Sequence, residues 1–379
     1  MKFKDAKICY TAIFRNESKN VYRCLNALKD IIEYVCITDT GSEDNTIELI
    51  EKWGLENNKP TKVFKDKFKD FGYNRSRSFT NAKKAFPKSD YCLLIDADMV
   101  FVLEEGWQNI ELTEDKYHLN QKNESIIYKN TRIIRTSLEW RCYGVTHEYW
   151  STKIGINHTT GHITSFIWID DKNDGGHKHD KYTRDERLLR EGLDAQLEPY
   201  DPPDIKTRYT YYLAQTLQCL KKYPEAISFF RKRISLGGWD EEIFYSQYQI
   251  GACYENMKDY ERAAASYLEA WNLRTTRSEP LYSLSKMYRT LEKKELGLMI
   301  ALRGKKVFKP DDGLFLDYNV YEWGFDNEIS IMAYWIPNYR HKGKKSVKKL
   351  LRKKGSIPQG IYELAYHNAK HYGIDPDAL

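Results

Sequence analysis

Two aspartates, Asp96 and Asp98, stand one small residue apart at the end of the apolar run Tyr91-Cys92-Leu93-Leu94-Ile95. At i and i+2 on an extended chain, both carboxylates leave the same side of the backbone. Together they offer the hard oxygen ligands that Mg²⁺ or Mn²⁺ takes, and such an ion neutralises a diphosphate. Asp39 closes a second apolar run, Tyr34 to Thr38, and is followed by Thr40-Gly41-Ser42. A carboxylate there accepts hydrogen bonds from a base or a ribose, or it closes a turn. Both patterns put a polar residue directly after a short apolar burst, and in open α/β sheets that is where ligands bind.

The elements that carry these residues follow from periodicity. Up to about residue 170, short apolar bursts at 7–14, 34–38, 61–64, 91–95 and 126–134 alternate with helical patterns. That alternation predicts βαβ units and a mostly parallel, Rossmann-like sheet. Ser18 is the predicted N-cap of a helix over 21–31, and Ser42 that of a helix over 47–53. From about Arg184 onward the pattern is helix after helix, with an internal repeat. Ala214, Leu217, Ala226 and Phe230 recur 37 residues later as Gly251, Tyr254, Ala263 and Tyr267; Ser285, Tyr288 and Gly297 follow 34 residues after Gly251, Tyr254 and Ala263.

A 34-residue helix-turn-helix period is that of tetratricopeptide repeats, and the three extra residues fit the Gly237-Gly238-Trp239 linker. The expected organisation is an α/β domain over 1–190 and an all-α solenoid over 191–379. Its repeats fall near 207–243, 244–277 and 278–311, and a degenerate segment follows over 312–379. Stacked repeats leave a concave surface for a peptide or a partner. Tyr209, Tyr211, Tyr212, Tyr245, Tyr248 and Tyr282 either line that surface or serve as core.

Composition bounds the remaining classes. With 41% hydrophobic and 30% charged residues and a mean hydropathy of −0.70, the chain reads as soluble and folded, without a transmembrane span. The first residues lack a secretory pattern. Seven cysteines, with no CxxC pair, suit neither a disulfide framework nor a thiolate zinc site; they read as buried free thiols, and the expected location is the cytoplasm. His158 and His162 have helix-face spacing, but Thr159-Thr160-Gly161 between them favours a turn over a zinc site.

The formal charge is +6, yet eight cations and no acid fall within 341–354, so the remaining chain is net negative. That distribution argues against a chain-wide nucleic-acid footprint. Val347, Leu350 and Leu351 fall at helical spacing in that run. They predict the solvated side of an amphipathic helix, with contact to an anionic membrane or nucleic acid as the alternative.

Taken together, these motifs resemble the GT-A nucleotide-sugar transferases of glycosyltransferase family 2. The likeness rests on Arg15-Asn16-Glu17 at the end of the first burst, Asp39-Thr40-Gly41-Ser42, Tyr73-Asn74-Arg75 and Asp96-Ala97-Asp98. The segments Gly144-Val145-Thr146-His147-Glu148-Tyr149, Asp174-Gly175-Gly176 with Lys178 and Asp180-Lys181, Arg184-Asp185, and Gly237-Gly238-Trp239 are similar to a subgroup of bacteria and large DNA viruses. That subgroup carries C-terminal tetratricopeptide repeats; an S-glycosyltransferase is a more distant likeness.

The resemblance implies an inverting, metal-dependent transfer from a nucleotide sugar, a UDP-sugar, to a protein, peptide or glycan acceptor. Thr11, Ala12 and Asp39 would hold uracil and ribose, with Glu17 and Arg75 nearby. Asp96 and Asp98 would hold Mn²⁺ or Mg²⁺, and Asp96 the donor ribose. Lys178, Lys181 and Arg184 would face the diphosphate, where growing charge needs stabilising. Glu148 would be the general base and His147 a third metal ligand. On an extended segment these two neighbours point to opposite faces, so only a bend brings both inward. Asp170, Asp171 and Asp174 stand in reserve. The arginine-rich segment 74–78 leaves open whether Arg75 or Arg77 faces the donor. The rival reading is a non-catalytic adaptor whose solenoid binds a peptide and whose α/β half is a relic.

Overall fold

The structure, a computed structural model, describes residues 1–123, 126–175 and 180–378. It divides into two compact units, Met1–Tyr212 and Leu213–Leu379.

In the first unit the apolar bursts form β1 (Ile8–Phe14), β2 (Tyr34–Asp39), β3 (Thr61–Lys65) and β4 (Tyr91–Leu93). They pair in parallel in the order β3-β2-β1-β4. β1 is an almost unbroken apolar run because both of its faces are covered. Ile8, Tyr10, Ala12 and Phe14 share a core with Val21, Cys24, Leu25 and Leu28 of α1 (Val21–Leu28). Cys9, Cys36 and Cys92 face the opposite way, against Phe79 and Ala82 of α3 (Phe71–Ala85). This explains the cysteine usage: all seven thiols are free, and six are buried, with Cys219 exposed.

Helix α2 (Thr46–Glu56) follows β2. Asn20 and Asn45, not Ser18 and Ser42, occupy the positions before α1 and α2. The Ser42 hydroxyl is taken by Asp39 instead. The sheet continues with the apolar β5 (Met99–Leu103) and with strands that mix polar and apolar residues, β6 (Lys116–Asn123), β7 (Ile126–Arg135) and β10 (Thr160–Asp171). The full order is β3-β2-β1-β4-β7-β6-β10-β5, with β7 antiparallel to both neighbours and β10 parallel to β6. The parallel core therefore carries a mixed extension. A hairpin of β8 (Trp140–Tyr143) and β9 (Tyr149–Thr152) lies outside this sheet, and α4 (Lys181–Asp194) follows β10.

Helix α5 (Ile205–Cys219) leads into the second unit. There α6 (Tyr223–Ser235), α7 (Asp240–Asn256), α8 (Tyr260–Leu273), α9 (Glu279–Thr290) and α10 (Lys294–Gly304) succeed one another with short turns. The repeat positions are contact points. Ala226, Phe230, Tyr254, Ala263 and Tyr267 are buried, and a Cβ on Gly251 would stand 2.5 Å from the Tyr267 ring. The inter-helix turns keep the same register: Lys221, Lys258 and Glu292, 37 and 34 residues apart in sequence, all have positive φ, at 60°, 62° and 57°. The third repeat thus retains the backbone turn where its side-chain match fades. Tyr209 and Tyr211 are core, while Tyr212, Tyr245, Tyr248 and Tyr282 are half-buried.

The chain ends in α11 (Phe325–Met332), α12 (Arg340–Leu351) and α13 (Gln359–Ala369). Among the described residues, no helix is long and apolar enough to cross a membrane.

Candidate functional site

The site forms where β1 and β4 end and α3 begins. Asp70 caps α3 by accepting from the Tyr73 amide at 2.7 Å. The Phe71 and Gly72 amides donate to the carbonyls of Val145 and Gly144 at 3.1 and 3.0 Å. Glycine is required at 72 because a Cβ would run into the Gly144 carbonyl oxygen. This close approach lets a side chain one turn into α3 reach both the 94–98 loop and the 144–148 segment.

That side chain is Arg75. Its Nη1 and Nη2 donate to the two oxygens of Asp96 at 2.6 and 3.1 Å, and its Nε donates to Glu148 at 2.6 Å. Their side chains are only 17%, 27% and 17% exposed, in the order Arg75, Asp96, Glu148. Burial opposes the charged guanidinium, but Asp96 and then Glu148 outweigh it and push the Arg75 pKa well above its ordinary value. Arg77 instead lies toward Asp66 at 3.6 Å, so Arg75 is the arginine that meets the carboxylates.

Asp98 accepts from the Gly175 amide at 3.2 Å. A Cβ on Gly175 would stand 3.0 Å from Asp98 Oδ2 and 3.2 Å from Glu17 Oε1, so two carboxylates converge on a spot that glycine leaves open. The Glu17 carboxylate accepts from the Asn20 side chain, whose Nδ2 donates at 2.7 Å. A bidentate pair between Arg23 and Asp174, at 2.8 and 2.5 Å, fixes the 174–175 segment beside them.

A cavity of about 450 Å³ opens here, lined on one side by Glu17, Asp96 and Asp98 and on another by Lys181, Arg184 and Arg187 of α4. Those three cations recur at three-residue intervals and so share a helix face. Phe68 and Phe71 give the cavity an apolar wall, with the Arg184 guanidinium 4.9 Å from the Phe71 ring. A smaller cavity of about 90 Å³ is lined by Thr11, Ala12, Arg75, Asp96 and Glu148. The Thr11 hydroxyl shares a 2.7 Å hydrogen bond with Ser78, whose own hydroxyl donates to the Ala12 carbonyl at 3.0 Å.

The remaining expected residues have other settings. Asp39 is buried, and its carboxylate accepts from the amides of Gly41 and Ser42 at 3.0 and 2.9 Å and from the Ser42 hydroxyl at 2.5 Å. It shapes the turn whose Thr40 lines the larger cavity. The chain does bend at His147, with φ of 51°. Its ring, however, stacks on Tyr212 at 4.0 Å, and its carbonyl accepts from Arg208 at 3.0 and 2.6 Å. Burial, then the charges of Lys181 and Arg208, lowers the His147 pKa to about 4.

Asp170 pairs with Lys172 at 2.6 Å, and Asp171 accepts from Gln121 at 2.9 Å. His158 bonds Thr152 at 2.9 Å, whereas the His162 ring stacks on His118 at 5.2 Å. Lys178 lies outside the described residues, as do His177 and His179. Among the described residues, no group of three or more His, Cys, Asp or Glu side chains is arranged to hold a metal ion.

Sequence reasoning missed Arg23, Arg187 and Gly72, and it met Gly175 only as part of a motif. Arg187 was readable as the third member of the Lys181–Arg184 face. Arg23 and Asp174 are 151 residues apart and left no local signal.

An open α/β sheet with acidic residues at its strand ends, followed by paired helices in a common register, defines a GT-A-like domain with a tetratricopeptide-like array. Residues 12–106 match the family model described as Glycosyl transferase family 2. It is 24% identical over 239 residues to the glycosyltransferase SunS of Bacillus phage SPbeta and to the SPbeta prophage-derived SunS of Bacillus subtilis strain 168. The match covers 59% of this chain and 52% of each relative, so the chain spans about half the length of the curated relatives it matches.

Two solved structures are similar at lower identity. One is residues 1–349 of S. aureus TarS in complex with UDP, at 14% identity and TM-score 0.35, covering 70% of this chain and 91% of that one. The other is a tetratricopeptide repeat protein from Parabacteroides merdae, at 14% identity and TM-score 0.36, covering 51% and 67%.

Proposed function

We propose that the protein is a metal-dependent glycosyltransferase that moves a sugar from a UDP-sugar to a protein, peptide or glycan acceptor by direct displacement with inversion. It would act in the cytoplasm of the cell that produces it. The observation that carries this reading is the 450 Å³ cavity, where the carboxylates of Glu17, Asp96 and Asp98 meet three cations of α4. A pocket with acids alone would repel a diphosphate, and one with cations alone would need no metal. The match of residues 12–106 to family 2 supports the same class.

The hard oxygens that converge beside Gly175 fit Mn²⁺ or Mg²⁺. Asp98 and Glu17 would hold the ion, with Asp96 beside them. When bound, the ion neutralises part of the diphosphate charge. Lys181, Arg184 and Arg187, with Lys178 by motif alone, would take up the negative charge that grows on the leaving diphosphate. Arg75 fixes the Glu148 carboxylate through a single 2.6 Å bond, which leaves the second oxygen of Glu148 to accept the proton of the acceptor nucleophile as the new glycosidic bond forms. Thr11, Ala12 and Asp39 would shape the uridine subsite, and the Phe68–Phe71 wall would limit access of water. The helical unit would bind the acceptor.

The test is a panel of nucleotide sugars screened for Mn²⁺-dependent hydrolysis by the purified chain, with Asp98→Asn beside it. The expected result is turnover of a UDP-sugar that Asp98→Asn loses while its unfolding curve stays unchanged. Equal turnover by Asp98→Asn, or none by the unaltered protein with any donor, would reject the proposal.

A further inference from the structure

The basic run near the C-terminus has a definite geometry. Helix α12 buries Gly343, Ser346, Val347, Leu350 and Leu351. Val347, Leu350 and Leu351 pack in one cluster with Ala365, Ala369 and Tyr372. Residues three and four apart share a helix face, so this packing turns Lys342, Lys344, Lys345, Lys348, Lys349 and Arg352 outward, and all but half-buried Lys348 are exposed. Among the described residues, Lys349 reaches Asp326 at 3.0 Å, whereas no acid comes within ion-pair distance of Lys342, Lys344, Lys345, Lys348 or Arg352. Since the rest of the chain is net negative, the face is a local concentration of charge.

Aromatic residues lie just upstream. Trp335, five residues before α12, is 63% exposed, with the Lys294 ammonium 5.1 Å from its ring. Tyr339 carries Lys342 at 5.1 Å. An exposed indole beside lysines is the residue pairing of a membrane-water interface, where the ring sits at headgroup level and the ammonium groups meet lipid phosphates.

From this juxtaposition we infer that the outward face of α12, with Trp335, docks the protein peripherally on an anionic lipid bilayer. Charge complementarity selects the partner class, and residue type selects within it. Five of the six outward cations are lysines, compact point charges suited to a fluid field of headgroups. Nucleic-acid readout draws instead on bidentate arginine and amide side chains; α12 has no Asn or Gln, and of its two flanking arginines Arg340 donates to the His371 carbonyl at 2.9 Å, which leaves Arg352 at the C-terminal end.

The experiment is sedimentation of the full chain with vesicles of phosphatidylcholine alone or with about 30% phosphatidylserine, since anionic lipid sets the attracting potential. The expected result is binding to the anionic vesicles only, weakening as salt rises. Replacing Lys344, Lys345 and Lys348 together by Gln, a good helix former, should weaken partitioning about 100-fold, with the melting curve unchanged. Trp335→Ala should weaken it while leaving the salt dependence as it was. Absence of binding to anionic vesicles, or unchanged binding by the triple variant, overturns the inference. Tighter binding to a short DNA duplex than to the vesicles reassigns the face to nucleic acid and overturns it equally.

Discussion

Arg75 and Asp96 meet through two parallel hydrogen bonds, Nη1 to Oδ1 at 2.6 Å and Nη2 to Oδ2 at 3.1 Å, and the third donor of the same guanidinium, Nε, engages Glu148. One cation thus fixes the spacing of two carboxylates that arrive from different parts of the chain. The planar fork of arginine does this where a lysine ammonium cannot.

Removing that fork should cost stability as well as activity. Breaking a buried pair costs about 3–5 kcal/mol; Asp96 keeps 27% of its side-chain surface, so Arg75→Gln should cost about 2 kcal/mol, below that range. Arg75→Lys should recover part of the loss in urea unfolding and little of the turnover. Equal stability of the three proteins would show that the pairs contribute nothing net.

If Glu148 accepts the acceptor's proton, Glu148→Gln keeps the shape and removes the base. The expected outcome is a fall in kcat of about 10²- to 10⁴-fold, with the donor KM little changed. A loss confined to KM would make Glu148 a binding group instead.

The Gly175 cradle makes a sharper case for the cation. Gly175→Ala would place a methyl 3.0 Å from Asp98 and 3.2 Å from Glu17, contacts that side chains relieve by small shifts. Turnover should then need more Mn²⁺, while the melting temperature moves little. An unchanged Mn²⁺ requirement would take the cation away from these two oxygens.

What the sequence disclosed follows physical lines. β1, β2 and β4 were readable because strands buried on both faces are continuous apolar runs, and Asp96 and Asp98 stood out against theirs. β6 was harder to see: Tyr117, Leu119 and Gln121 point inward, but the third of these is polar and breaks the alternation. β10 carries a register shift between Ile163 and Trp168, which scrambles its period. Arg75 and Arg77 could not be told apart from local pattern, because two positions apart on a helix they face different ways. Only Asp96 and Glu148, 21 and 73 residues farther along, decide between them. The hydrogen bonds that Asp39 accepts from the Gly41 and Ser42 amides were not legible in the sequence, where the residue suits a turn and a ribose contact alike.

His147 should make stability depend on pH. Its folded pKa, lowered to about 4 by burial and then by Lys181 and Arg208, lies below the unfolded value of about 6.5. Between those values the unfolded chain binds the additional proton, so the contribution is complete above about pH 6.5 and is lost as pH falls toward 4. A displacement of that size is worth at most about 3 kcal/mol. Urea unfolding at pH 7 and 5 should show the loss, and His147→Gln should flatten it; an equally steep profile in the variant would assign the effect to other groups.

The last expectation concerns the helical unit, where small residues permit close packing. A methyl on Gly251 would stand 2.5 Å from the Tyr267 ring, and Tyr267 is buried and hydrogen-bonded to Glu255 at 2.5 Å, so the ring cannot swing away freely. Overpacking of this kind costs about 1–3 kcal/mol, against which the better helix propensity of alanine returns at most about 1 kcal/mol. Gly251→Ala should therefore lower stability. Gly360→Ala, in the first turn of α13 with nothing near the added methyl, is the control and should leave stability level or raise it. Equal behaviour of the two variants in thermal unfolding would mean that the α7–α8 contact is looser than the repeat pattern requires.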